Sequence, residues 1–512
     1  MPDNPLQPLW KSSAPRWDYF RAAHLLNRAG FGGSSADIEQ LVALGPEKAV
    51  EHLVRYHSIQ NNLPDLEFGE LSGPIAGGKE GVGKRAFGEQ AQLLRDLTPD
   101  QRKALFELRQ GAQRLKFEEM KLWWLDRMVR TSRPLEEKLT LFWHGLFVSS
   151  NTTVKNTYLL YKQNQLLRRH AAGNYKTLAL EISQDPAMLE YLNNNQNKKE
   201  HPNENYAREL MELFTMGIGN YTETDIKESA RAFTGWTALG DQFIFNRREH
   251  DDGAKTFLGR TGNFDGQDII NIIFDHPATP LYIARRLATF FGADDPPPEV
   301  TSGLAAAVRV SRFELAPVLE VLFSSNWFYS EDVMRRQIKS PVQLVVGSLR
   351  ALGVNMAQPR AVDNALKMMG QELLNAPTVK GWDGGRAWIN TSTLFARYNL
   401  PAYLGTGRLP AVGKRPEAAD VRTQFNEFNS GWAPQIDLAE AAASTTDAVV
   451  DLYIKKLLCD KLAPRKRQDL IEFINATGDD KSHPFDPVAP DAENQIRSFV
   501  HLIMAMAEYQ LC

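Results

Sequence analysis

Between His201 and Trp236 the chain reads HPNENYARELMELFTMGIGNYTETDIKESARAFTGW, with carboxylates, amides and arginines recurring at helical spacing. At ~100° per residue, Leu210 and Leu213 fall beside Tyr206, while Asn205, Arg208, Glu209 and Glu212 share an opposed arc. Two carboxylates at i and i+3, Glu209 and Glu212, suit two tasks. They can hold a hard cation, or they can divide acid and base roles if burial separates their pKa values. The competing reading is a solvated face carrying a Glu204–Arg208 ion pair, worth only a few tenths of a kcal/mol.

Other polar residues stand apart from the apolar faces of their own segments. His144 is ~180° around its helix from Leu135, which starts a stripe continued by Leu139, Phe142, Trp143, Leu146 and Phe147. It is therefore either solvated or turned to a second layer or pocket, where a near-neutral pKa serves acid–base or metal chemistry. Arg231 lies off the apolar face of Ile226, Ala230 and Phe233; it either holds a substrate anion or, more commonly, makes a surface ion pair. Turn and capping chemistry accounts for residues 259–266, with Asp265 as a helix cap, but not for His250 and Asp251 just before them. The segment GWDGGRAWIN (381–390) sets aromatic faces beside polar groups, which suits sugar stacking or loop packing, with packing favoured.

The expectation is that the segments near 144, 205–212, 231 and 250 converge on one polar pocket. In a hydrolytic or metal-assisted enzyme, Glu209 and Glu212 would be acid–base groups or cation ligands, assisted by His144 or His250. Asn205, Arg208, Arg231 and Asp251 would bind the substrate. The cofactor is unknown from sequence; in the metal-assisted form it would be a divalent cation. The alternative is a non-catalytic binding or scaffold protein whose polar helix faces are interface or solvent. Composition fits both.

The elements that must position these residues read as helices. Apolar residues recur at three- and four-residue spacing, with Ser, Thr or Asp before them and Gly or Pro after. Helices are predicted near 16–29, 99–130, 155–171, 174–183, 203–216, 223–235, 266–275, 278–292 and 494–509, with Pro134 and Pro341 opening two more. Strand signals are scarce, so the fold class is all-α. Asp294–Pro298 is the clearest linker-like break and divides the chain into regions 1–293 and 294–512. Residues 61–90 read as a glycine-rich loop. Within it, Gly78 to Arg85 nearly matches a phosphate-binding loop but has Arg85 where a hydroxyl should meet magnesium.

Several functions are unsupported. A formal charge of −3 offers no electrostatic case for nucleic acid. Cys459 and Cys512 alone build neither a disulfide framework nor a cysteine-rich zinc site. No stretch approaches 18 uninterrupted apolar residues, the length a membrane span requires. The first residues lack a signal-peptide pattern, which makes the cytoplasm the default compartment and export the expectation if a signal has been removed. There is no His-Glu-x-x-His, Gly-x-Ser-x-Gly or Glu-x-x-His motif.

HLLNRAGFG (24–32), LTLFWHGLFVSS (139–150), NENYARELMELFTMGIGNYTETDI (203–226), ARAFTGW (230–236) and KTFLGRTGNFDG (255–266) together resemble the bacterial family known as domain of unknown function 1800. The likeness continues through 323–353 and 380–399 to the terminal helix. It implies a predominantly helical bacterial protein, often exported and often encoded beside a sulfatase-like family, which would be its partner. It implies no established reaction. The family commonly carries a second histidine two residues after the one matching His144, where this chain has Leu146, and that departure weakens a two-histidine metal site.

Overall fold

Helix ends follow cap chemistry. Asp18 accepts from the Arg21 N–H ahead of α1 (Tyr19–Ala29), and Ser34 and Asp37 form a reciprocal capping box ahead of α2 (Ser35–Leu44). Prolines open α3 (Pro46–Val54), α4 (Pro99–Arg130) and α5 (Pro134–Leu146), where the missing N–H has no helical partner to lose. Then come α6 (Thr157–Arg169), α7 (Tyr175–Ser183) and α8 (Pro186–Tyr191). The computed structural model describes residues 4–11, 16–71, 97–354, 359–406, 445–476, 485–489 and 491–512. The sequence reading of Gly78 to Arg85 lies outside them.

The polar signature segment starts as α9 (Asn205–Glu209) and passes into a π-helix, Leu210–Thr215, in which the Thr215 hydroxyl donates to the Leu210 carbonyl at 2.5 Å. The wider turn departs from the regular helical spacing at Glu212, which still lies close enough to Glu209 to act on its carboxyl. Next is α10 (Glu223–Ala232), opened by a Thr222–Asp225 capping box. Two antiparallel hairpins follow, β1 (Trp236–Leu239) with β2 (Gln242–Phe245) and β3 (Lys255–Phe257) with β4 (Arg260–Gly262). They are the only sheets among the described residues. The chain returns to helices with α11 (Gly266–Asp275), α12 (Ala278–Phe291), α13 (Pro298–Val310) and α14 (Leu315–Ser324). The remainder comprises α15 (Pro341–Leu352), α16 (Pro359–Met368), α17 (Thr391–Thr406), α18 (Thr446–Tyr453), α19 (Pro464–Ala476) and α20 (Ala492–Ala505). The protein is predominantly helical, as its cap grammar predicts.

Two apolar cores organise these helices. The first runs from Leu9 to Val333 and includes the Leu135–Phe147 stripe of α5. The second joins α15 to α20 with Phe117, Trp124 and Met128 of α4, Leu141 of α5, and Leu159 and Leu160 of α6. The turn at 294–298 links α12 to α13, and both of those helices bury into the first core. The cores alternate along the chain, since Phe31 and α4 contribute to the second and α12 and α13 to the first.

Because α5 lies between the cores it is buried on all sides, Glu136, Glu137, Lys138 and His144 included. Glu137 accepts from Trp124 Nε1 at 3.0 Å, from Arg127 at 2.7 Å, and from Arg168 at 2.8 and 3.0 Å. Burial pushes its carboxyl up, but Arg168 and Arg127 more than reverse this and hold it below the usual range.

Candidate functional site

The contacts of the eight sequence-predicted residues divide them among three settings rather than gathering them in one pocket. In the first, Arg208 reaches Glu223 at 2.8 and 2.9 Å and Glu204 at 3.3 Å, which ties α9 to α10. Asn205 is exposed and Glu209 is half-buried. Burial raises the Glu209 carboxyl, and the neighbouring charge of Glu212 adds to the rise. Glu212 accepts from the Tyr221 hydroxyl at 3.1 Å. Burial and then Glu212 push that phenol up to about 12.

In the second setting, Arg231 holds Asp251 at 2.7 and 3.3 Å and Glu228 at 2.9 and 3.0 Å, and also reaches the Ala254 carbonyl. This guanidinium fastens the β3 hairpin to α10 and has little left for a substrate anion. His250 is buried, with Nδ1 2.9 Å from the Thr234 carbonyl and its ring edge-on to Phe245. A carbonyl can only accept, so Nδ1 carries the proton.

His144 forms the third setting. It faces the second core, and its Nε2 accepts the Leu374 N–H at 3.1 Å. Its ring lies 5.2 Å from Trp124 and 5.6 Å from Trp382. Burial pulls its pKa to about 4. Among the described residues, no three His, Cys, Asp or Glu side chains gather to hold a metal ion.

The seam between the cores contains a cavity of about 320 Å³. One wall is α5, with Lys138, Leu141, Phe142 and Gly145, and another is α12, with Tyr282, Arg285, Arg286 and Phe290. Asp294, Gln343 and the loop carrying Trp382, Asp383 and Trp388 complete it. That loop is pressed onto the end of α5. A Cβ at Gly381 would stand 2.5 Å from the Gly145 carbonyl oxygen, and the φ of +81° there independently favours glycine.

Lys138 is the unusual member of this lining. It is 3% exposed, and its Nζ donates to Gln343 Oε1 at 2.9 Å. The ammonium also lies 5.0 Å from the Phe31 ring centre and 5.5 Å from that of Phe290. Among the described residues no carboxylate forms an ion pair with it. Burial pulls its pKa down to about 7, against a smaller upward pull from Cys512 and with the charge of Arg28 adding to the fall. A buried amine that is partly neutral at neutral pH, in a small cavity, is equipped to accept a proton.

The remaining charges flank it. Arg286 is exposed and has no ion pair among the described residues, whereas Arg285 stands 3.6 Å from Asp295. Asp294 and Asp383 are both exposed at the cavity. Tyr282 donates to the Leu213 carbonyl of the π-helix and senses the charge of Glu212. The signature segment therefore backs the cavity wall without lining it.

Sequence reasoning passed over Lys138 although a signal was present. Three residues after Leu135 and four before Phe142, it falls within the apolar stripe of α5, where a lone charge is out of place. Arg285, Arg286 and Asp294 carried no comparable sign. The segment 381–390 suits sugar stacking or loop packing on sequence grounds, with packing favoured; Trp382 packs on His144 and also lines the cavity, and Asp383 lines it too.

No helix of the described residues is long and apolar enough to cross a membrane. No curated protein matches the chain, and no solved structure does. A family model matches residues 24–511, nearly its whole length, and the chain belongs to that family, described as Protein of unknown function (DUF1800).

Proposed function

We propose that this protein is an enzyme of hydrolytic type whose active site is the seam cavity and whose base is Lys138. The observation that carries this reading is a buried lysine that has no carboxylate partner among the described residues and lines a cavity small enough for one compact substrate. The neutral amine takes a proton from water as the water oxygen bonds to the electrophilic centre. It then returns the proton to the leaving group as that bond breaks. Water is the only co-reactant required. Glu212 stands behind Tyr282 in this scheme and acts on the field at the cavity wall.

The base works only when neutral, so the rate should rise with pH through about 7. Chromogenic esters, phosphates and glycosides offer a direct assay, in which Lys138→Met should lose about 10²–10⁴-fold with its circular dichroism intact. A folded Lys138→Met variant that keeps the wild-type rate would remove Lys138 from the chemistry. Reductive ¹³C-methylation reads the amine without any substrate. A Lys138 signal titrating in the ordinary lysine range defeats the proposal.

A second reading has one observation in its favour. Ile218 is 78% exposed between Gly217 and Gly219, both at positive φ, and Leu281 beside Tyr282 is 41% exposed. Exposed apolar side chains of this kind suit a non-catalytic binding or scaffold protein for a sulfatase-like partner. Co-purification of such a partner with the wild type but not with Ile218→Asp would favour it.

A further inference from the structure

The lining of the seam cavity restricts what it can hold. Arg286 keeps its charge at any working pH and has no carboxylate partner among the described residues, so its side of the cavity favours an anionic group. Asp294 and Asp383 bring two carboxylates to the same small space. These would repel a simple anion unless its other atoms offered them hydrogen-bond donors. Trp382, half-buried in the lining, supplies an aromatic surface suited to the C–H side of a sugar ring. A volume of about 320 Å³ is at the small end of the ~300–1,000 Å³ of ligand cavities, which limits the occupant to about one ring.

We infer that the seam cavity binds a single anionic sugar of the hexuronate class, with its ring on Trp382, its carboxylate at Arg286 and its hydroxyls toward Asp294 and Asp383. This deepens the reading of the cavity as an active site and rests on it. An aromatic acid would satisfy the tryptophans and the arginine but leave both aspartates without donors. A neutral sugar would satisfy the aspartates but leave Arg286 without an anion. Only a ligand that is both polyol and anion uses the whole lining.

Titrating the full chain with glucuronate, glucose and benzoate, read by ligand-observed saturation-transfer NMR, separates these possibilities. Glucuronate should bind, and glucose and benzoate should each be weaker by about 10-fold or more. Trp382→Ala and Arg286→Gln should each weaken glucuronate by about 10-fold or more, while Arg260→Gln on the distant β4 changes nothing. Arg286 is exposed on α12, so its variant stays informative if Trp382→Ala does not fold. Glucose binding as tightly as glucuronate would overturn the anion subsite, benzoate doing so would overturn the polyol subsite, and no glucuronate binding would overturn both. Failure of the underlying enzyme reading looks different. It appears as an ordinary titration of Lys138, whatever glucuronate does.

Discussion

His144 accepts the Leu374 N–H through Nε2, so its own proton sits on Nδ1 and the ring is neutral. Leu374 has a φ of +61°, an uncommon conformation for leucine, and the histidine holds it there. The folded pKa of about 4 lies below the ordinary 6.5, so between those values the unfolded chain takes up a proton that the folded chain refuses. Stability from this group is complete above 6.5 and is lost as pH falls toward 4, a difference of about 3 kcal/mol. His144→Phe should cost about 1–3 kcal/mol at pH 7 by leaving the Leu374 N–H unsatisfied. It should also flatten the acid side of the stability profile. Urea unfolding at pH 7 and pH 4.5 checks both, and an unchanged acid slope would show that another group titrates there.

Among the elements, α10 shows how one residue can serve two structures. Asp225 accepts the Thr222 N–H at 2.8 Å to close the capping box, and its other oxygen accepts the Leu258 N–H at 2.8 Å from the turn between β3 and β4. Thr222→Ala should therefore cost about 1 kcal/mol. Asp225→Ala should cost more, because a second backbone donor is orphaned. Equal losses in denaturant midpoint would mean that the Leu258 bond contributes nothing. Caps of this kind were legible because both partners lie within three residues, which is why Asp265 was placed correctly from sequence. The hairpins were not legible, since strands of three or four residues carry little periodic signal. The π-helix was missed because a wheel at a fixed angle assumes the regular turn. The seam cavity was illegible for a different reason. Residues 138, 286, 294 and 382 meet only through tertiary packing, and Lys138 alone betrayed it, as a charge inside an apolar stripe.

At the scale of the molecule, α5 is shared by both cores, and two of its three consecutive charges act differently. Lys138 faces the cavity, whereas Glu137 joins α4 and α6 through Trp124, Arg127 and Arg168. Removing the charge of Glu137 would leave two largely buried arginines without their carboxylate, a change that costs on the order of 3–5 kcal/mol. Since the folded pKa is lowered, the contribution is present above the unfolded value of 4.5 and lost as pH falls through the folded one. Glu137→Gln should thus be destabilised at pH 7 but approach the wild type in acid. If α5 couples the cores, the loss must also reach both of them. Hydrogen exchange in α7, which belongs to the first core, and in α20, which belongs to the second, should then weaken by the same free energy. Weakening confined to α20 would mean that the cores open independently and that the seam is an interface between two separately stable units. A ligand in the cavity would in that case be held by a joint free to open.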